Sequence, residues 1–205
     1  MQKDWQVTTP KPAKHCENFT GKHPTLGQSF ARKCKNHRAV GTVRFYSKQN
    51  QITLIMDKKV RVTKQFKFET GHALFGYDGL CKNVHGHSYK LDVTIIGQPI
   101  ADTQHVKNGM VIDFGDLKTI VNKEIVYPFD HATVLNVNSP HLEIANEMES
   151  RGHKILRVGY QPTSEMMILD FAVKLQAKLP NHLKLFSLKL RETGTAFAEW
   201  YAEDQ

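Results

Sequence analysis

The chain has 205 residues, of which 40% are hydrophobic and 23% charged, with 28 Lys and Arg against 20 Asp and Glu and a formal charge of +8. This is the composition of a globular protein, which excludes collagen-like, mucin-like and wholly disordered chains, and no apolar run approaches the ~18 residues of a membrane span. The charge is unevenly placed: residues 1–55 carry 10 basic and 2 acidic side chains, the entire surplus, whereas residues 56–205 carry 18 of each.

Residues 1–55 mix Lys, Pro, Gly, Asn and Thr and show no sustained period of 2 or 3.6, so they read as a basic, poorly ordered N-terminal extension. Its Cys34/His37 and His15/Cys16 pairs match no common zinc spacing, and the sequon at Asn18 means little without a secretory signal. A basic tail of this kind could touch nucleic acid. Met56 precedes the first legible strand, so the upstream segment reads equally as a misplaced start. The absence of an apolar leader and the odd count of three cysteines, Cys16, Cys34 and Cys81, point to a cytoplasmic, reducing compartment.

From residue 56 the pattern becomes regular. Val60, Val62, Phe66 and Phe68 alternate with polar residues, the signature of a half-buried strand. Glycines 71, 76 and 79 mark a turn, and Tyr89, Leu91, Val93 and Ile95 continue a second strand to Gly97. Asp113 is placed to cap a helix carrying Leu117, Ile120, Val121 and Ile125, which Pro128 is expected to stop. Residues 136–153 read as an inserted loop with a helical piece around Leu142–Met148, followed by a short strand from Ile155 to Val158. Pro162-Thr163-Ser164-Glu165 opens a second helix running toward Pro180. Strands over Leu183–Arg191 and Thr195–Tyr201 close the chain. Paired strands segregated from two helices predict an α+β fold, with an antiparallel sheet carrying both helices on one face.

The chemistry concentrates in Cys81-Lys82-Asn83-Val84-His85-Gly86-His87. Residues two apart on a strand face the same way, so His85 and His87 can share one ion, and a hairpin would bring His72 opposite them. Three imidazoles without a fourth protein ligand form the donor set of a catalytic zinc site, which keeps a position open. A rival reading makes Cys81 the fourth ligand of a structural site. Beside a cation, the Cys81 thiolate would be favoured as base or nucleophile. Asp130-His131 is a second candidate dyad. Glu192 is either a solvated turn residue or an acceptor for the N–H edge of a purine or pterin ring. Phosphate-loop, His-Glu-x-x-His, Gly-x-Ser-x-Gly and Cys-x-x-Cys signatures are absent from the sequence.

In order, the segments Phe68–His72, Cys81–Tyr89, Ile112–Phe114, Phe129–His131, Pro162–Glu165 and Arg191–Gly194 resemble the 6-pyruvoyltetrahydropterin synthase family over about residues 58–203. The three residues between Cys81 and His85 resemble the bacterial 6-carboxytetrahydropterin synthase branch of queuosine biosynthesis. The resemblance implies a tunnelling fold, in which ββααββ units close into an oligomeric barrel, usually a hexamer with active sites between subunits. It implies Zn2+ on His72, His85 and His87, Cys81 as general base, and His131 with Asp130 as a proton relay. Glu192, with the backbone at Thr163 and Ser164, would hold the pterin of 7,8-dihydroneopterin triphosphate. Runner-up readings are a pyruvoyl product and a non-catalytic, zinc-stabilised module whose basic tail engages RNA. Two departures stand out: Thr70-Gly71 replaces the usual pair of alanines before the first histidine, and residues 137–160 exceed the length found in compact members.

Overall fold

The computed structural model describes residues 57–205; the readings of the basic extension, of its Cys and His pairs and of a start at Met56 lie outside the described residues. Strand β1 (Val60–His72) and strand β2 (His85–Gly97) pair antiparallel without interruption, from Val60 opposite Gly97 to His72 opposite His85. The period-2 pattern decides which face is covered. Phe66, Phe68, Tyr89, Leu91, Val93 and Ile95 all point to one side and are buried there. Phe68 pairs with Tyr89 across the strands, and their rings stack at 5.5 Å.

Strand β3 (Ala132–Asn136) and strand β4 (Ile155–Val158) extend the sheet beyond β1, while strands β5 (Lys184–Arg191) and β6 (Phe197–Tyr201) extend it beyond β2. The order is β4-β3-β1-β2-β5-β6. The α+β class stands, but the expectation of a purely antiparallel sheet is corrected, because β3 runs parallel to β1 and β4 parallel to β3. Five residues directly after a Pro-Phe-Asp-His run carry too little period-2 signal to announce β3. A parallel neighbour also needs a crossover, and helix α3 (His141–Ser150) supplies it. The long 137–160 segment is thus spent largely on α3 and β4.

Helix α1 (Phe114–Val121) begins where expected, with the Asp113 carboxylate accepting the Gly115 N–H at 2.6 Å. Pro128 does not end the helical run. A π turn over Asn122–Val126, with Tyr127 N–H reaching back to Asn122 O, changes the hydrogen-bond register ahead of the proline. A last turn, α2 (Tyr127–Phe129), then closes with Asp130 N–H on Val126 O at 2.8 Å. Helix α4 (Ser164–Gln176) starts at its Thr163 cap and stops short of Pro180. Leu117, Val121, Ile125 and Phe129 join Met167, Ile168, Phe171 and Leu175 over the buried sheet face. Phe129 and Phe171 meet edge to face at 4.8 Å, and both contact Phe68. Each such buried side chain contributes about 1.5–3 kcal/mol.

Candidate metal and catalytic site

The site grows out of the core face of β1 and β2. Two residues beyond Phe68 comes Thr70, and two beyond that His72; before Tyr89 on β2 come His87 and His85. The alternation that buries Phe68 and Tyr89 therefore aims all three histidines to the same side at the end of the hairpin. Their ring centroids lie 4.5 Å (His72–His85), 4.9 Å (His85–His87) and 5.2 Å (His72–His87) apart.

Their tautomers follow from their backbone partners. His72 Nδ1 lies 2.6 Å from Pro162 O, and His85 Nδ1 lies 2.8 Å from Asn83 O. A carbonyl only accepts, so each Nδ1 carries the proton and each Nε2 presents a lone pair. The Nε2 atoms of all three histidines are buried without a hydrogen-bond partner. Candidate ligand atoms of this trio lie within 4.8 Å of one another. Burial, the dominant cause, lowers the pKa of both His72 and His87, so that both are held neutral. Neutral, converging and otherwise unsatisfied imidazoles fit a bound metal ion.

Cys81 sits in a single 3-10 turn, Leu80–Lys82, half-buried and free, with its carbonyl accepting Leu74 N–H at 2.9 Å. Among the described residues, the grouped ligand atoms are those of the three histidines and do not include Cys81. That arrangement does not favour the rival four-ligand structural site.

Glu192 follows β5 directly and leans over the cluster. Its Oε1 accepts the Tyr89 hydroxyl at 3.0 Å and lies 3.7 Å and 3.6 Å from Nε2 of His72 and His87. The N-terminus of α4 docks on the same place, because Pro162 O holds His72 while Thr163 Oγ1 accepts Met166 N–H. Ser164 is buried, and its hydroxyl has no partner. Tyr89, read from sequence only as a strand residue, turns out to be the hydroxyl partner of Glu192, with its ring edge-on to His72 and His87. Its one sequence signal is a Tyr where the pattern asks only for an apolar ring. Burial, followed by the Glu192 charge, drives its pKa far up, so the phenol remains a donor.

Asp130 and His131 are placed differently. Asp130 Oδ2 meets His131 Nδ1 at 3.0 Å, Asp130 Oδ1 accepts Glu69 N–H at 2.9 Å, and His131 N–H donates to Glu69 O at 2.6 Å. The hydrogen bond from Glu69 N–H is the main reason the Asp130 carboxyl sits below its ordinary pKa. His131 adopts φ 58°, a left-handed backbone uncommon outside glycine. Lys154, which sequence reasoning missed, donates to Tyr127 O at 2.6 Å and Asp130 O at 2.7 Å and pins this turn. The His131 side chain is 77% exposed and borders a shallow groove that Glu69, Gly71, Gly86, His87 and Ser88 also line. Among the described residues, neither Asp130 nor His131 is in the group of converging ligand atoms. An apolar recess lined by Val60, Val62, Met110 and Phe114 lies at the other end of β1, about 40 Å of strand away.

The 6-pyruvoyl tetrahydropterin synthase family model matches residues 61–203. The 6-carboxy-5,6,7,8-tetrahydropterin synthase of Haemophilus influenzae is 38% identical over 141 residues, covering 68% of this chain and 97% of that protein. Its namesake from Rickettsia typhi is 34% identical over 143 residues, covering 68% and 99%. Among solved structures, an uncharacterized protein of Wolinella succinogenes matches with a TM-score of 0.57 at 18% identity, covering 71% of this chain and 99% of that one. The 6-pyruvoyl tetrahydropterin synthase of Plasmodium vivax matches with 0.52 at 17%, covering 70% and 98%. These structures share the fold, and the curated relatives carry the name of the branch that the Cys81–His85 spacing resembles. With a family model spanning nearly all of the described residues, the chain belongs to the 6-pyruvoyl tetrahydropterin synthase family.

Proposed function

We propose that residues 56–205 form a zinc-dependent 6-carboxy-5,6,7,8-tetrahydropterin synthase. It converts 7,8-dihydroneopterin triphosphate and water to 6-carboxytetrahydropterin, acetaldehyde and triphosphate, in the cytoplasm, as part of queuosine biosynthesis. The observation that carries this reading is the convergence of three unpartnered, buried Nε2 atoms next to an acceptor-only carboxylate.

His72, His85 and His87 would hold the ion, which supplies Lewis-acid polarisation of the substrate's side-chain oxygens and so acidifies the neighbouring C–H. Cys81 takes that proton as general base. Glu192 accepts from the pterin ring N–H and amino group, and the backbone at Thr163 and Ser164 completes the cradle. Asp130 orients His131 through Nδ1, leaving Nε2 to move protons as triphosphate departs. The outward placement of His131 supports a relay that serves a neighbouring subunit's pocket, in a barrel-forming oligomer, a hexamer of two trimers, whose sheet edges are paired.

The test is to incubate the zinc-loaded chain with 7,8-dihydroneopterin triphosphate and identify the products by mass. Acetaldehyde together with a carboxypterin is expected. A pyruvoyl-bearing product would overturn the branch assignment, and absence of turnover would overturn the enzyme reading.

A further inference from the structure

Glu192, proposed above as the pterin anchor, also lies, among the described residues, within ion-pair reach of the histidine cluster. Glu192 Oε1 lies 3.7 Å from His72 Nε2 and 3.6 Å from His87 Nε2. Those separations are too long for hydrogen bonds. An ion shared by these nitrogens would nevertheless have that oxygen as a neighbour. Carboxylates bind zinc at about 2.0–2.2 Å, and a fourth protein ligand turns an open catalytic site into a closed structural one. Something must hold Glu192 back, and the contact that does so is the Tyr89 hydroxyl, 3.0 Å from the same Oε1.

The phenol is well fixed for this. Tyr89 is fully buried in the middle of a long hairpin, stacked on Phe68 at 5.5 Å and edge-on to His87 at 5.6 Å. A carboxylate cannot donate, so the direction of the bond is settled: Tyr89 gives its only proton to Glu192. Glu192 itself is 26% exposed and follows the last residue of β5, so its own surroundings constrain it less.

We propose that Tyr89 is a positioning residue that restrains Glu192 from ligating the metal and so keeps one coordination place free for substrate. The inference rests on the metal reading of His72, His85 and His87 given above. It makes Glu192 a group with two available fates, pterin anchor or fourth ligand, and makes one hydroxyl decide between them.

The test uses the full chain loaded with Co2+, whose visible spectrum reports coordination, and azide as the exogenous ligand. The wild-type cobalt protein should bind azide with a spectral change. Tyr89→Phe keeps the ring and its packing; it should retain cobalt, release it more slowly to a chelator, and bind azide about tenfold or more weakly, the size expected of one hydrogen bond to a charged group. Adding Glu192→Ala to Tyr89→Phe should restore azide binding. Glu192→Ala alone should bind azide at least as tightly as the wild type, because a like charge is removed from beside the site. Equal azide affinity in Tyr89→Phe and wild type, with equal cobalt content, overturns the restraint. So does a change of coordination number in the visible spectrum of azide-free Glu192→Ala relative to wild type, since Glu192 would then already be a ligand. A wild-type chain that takes up no cobalt brings down the metal reading itself, an outcome distinct from either.

Discussion

His72 and His85 face one another at the last paired position of β1 and β2, with their rings 4.5 Å apart. Each donates Nδ1–H to a backbone carbonyl from a different segment, Pro162 and Asn83, so both Nε2 atoms are turned inward. On the proposed metal reading, replacing either would remove a ligand and leave the others without a complete set. His72→Ala and His85→Ala are each expected to lower bound zinc from about one ion per chain to near zero after dialysis, since a two-histidine remnant lacks the donors of a stable site. Metal analysis with circular dichroism on the same samples separates ligand loss from unfolding.

Cys81→Ala tests the division of labour. Cys81 lies outside the group of converging ligand atoms, so zinc content should be unchanged while kcat falls about 10²–10⁴-fold, the usual loss when a general base is removed. Zinc lost together with the thiol would favour the structural, four-ligand site.

The Asp130–His131 dyad precedes β3, and His131 is 77% exposed and outside the group of converging ligand atoms. If a pocket is completed by a neighbouring subunit, mixing inactive Cys81→Ala and inactive His131→Ala chains, followed by subunit exchange, should recover part of the wild-type activity. Mixed oligomers that stay as inactive as either parent would place both residues in one chain's own site.

Burial lowers the pKa of His72 and His87 below the ordinary 6.5. The unfolded chain then binds protons that the folded chain refuses. Both forms are neutral well above pH 6.5, and stability is lost as pH falls through that value toward the lowered folded pKa. The melting temperature of the metal-free chain should therefore drop between about pH 7 and pH 5. Zinc should raise it most at the upper end, because protons compete for the same Nε2 atoms. A flat profile for the metal-free chain, checked by calorimetry, would contradict the burial account.

Phe171→Ala should cost about 3–5 kcal/mol in a denaturant titration, because Phe171 is fully buried and meets both Phe68 and Phe129. Phe197→Ala, on a half-exposed ring of β6, should cost far less, as surface changes do.

Much of this molecule follows from local pattern. Alternation from Val60 to Phe68 and from Tyr89 to Ile95 is enough to write the hairpin, because period-2 burial is a property of the strand itself. That same period carries His72, His85 and His87 to one face. The Asp113 and Thr163 caps are local too, since a cap is a contact across two or three residues. Tertiary structure alone decided the rest. The parallel pairing of β3 and β4 depends on a crossover that brings distant segments together. Pro128 is passed because a π turn shifts the hydrogen-bond register ahead of it. Tyr89 reads in sequence as one more ring of the core, and only the approach of Glu192 from a strand end 103 positions away gives its hydroxyl a partner. A buried polar group must find that partner wherever the chain returns, and where the chain returns is set by packing over the whole domain.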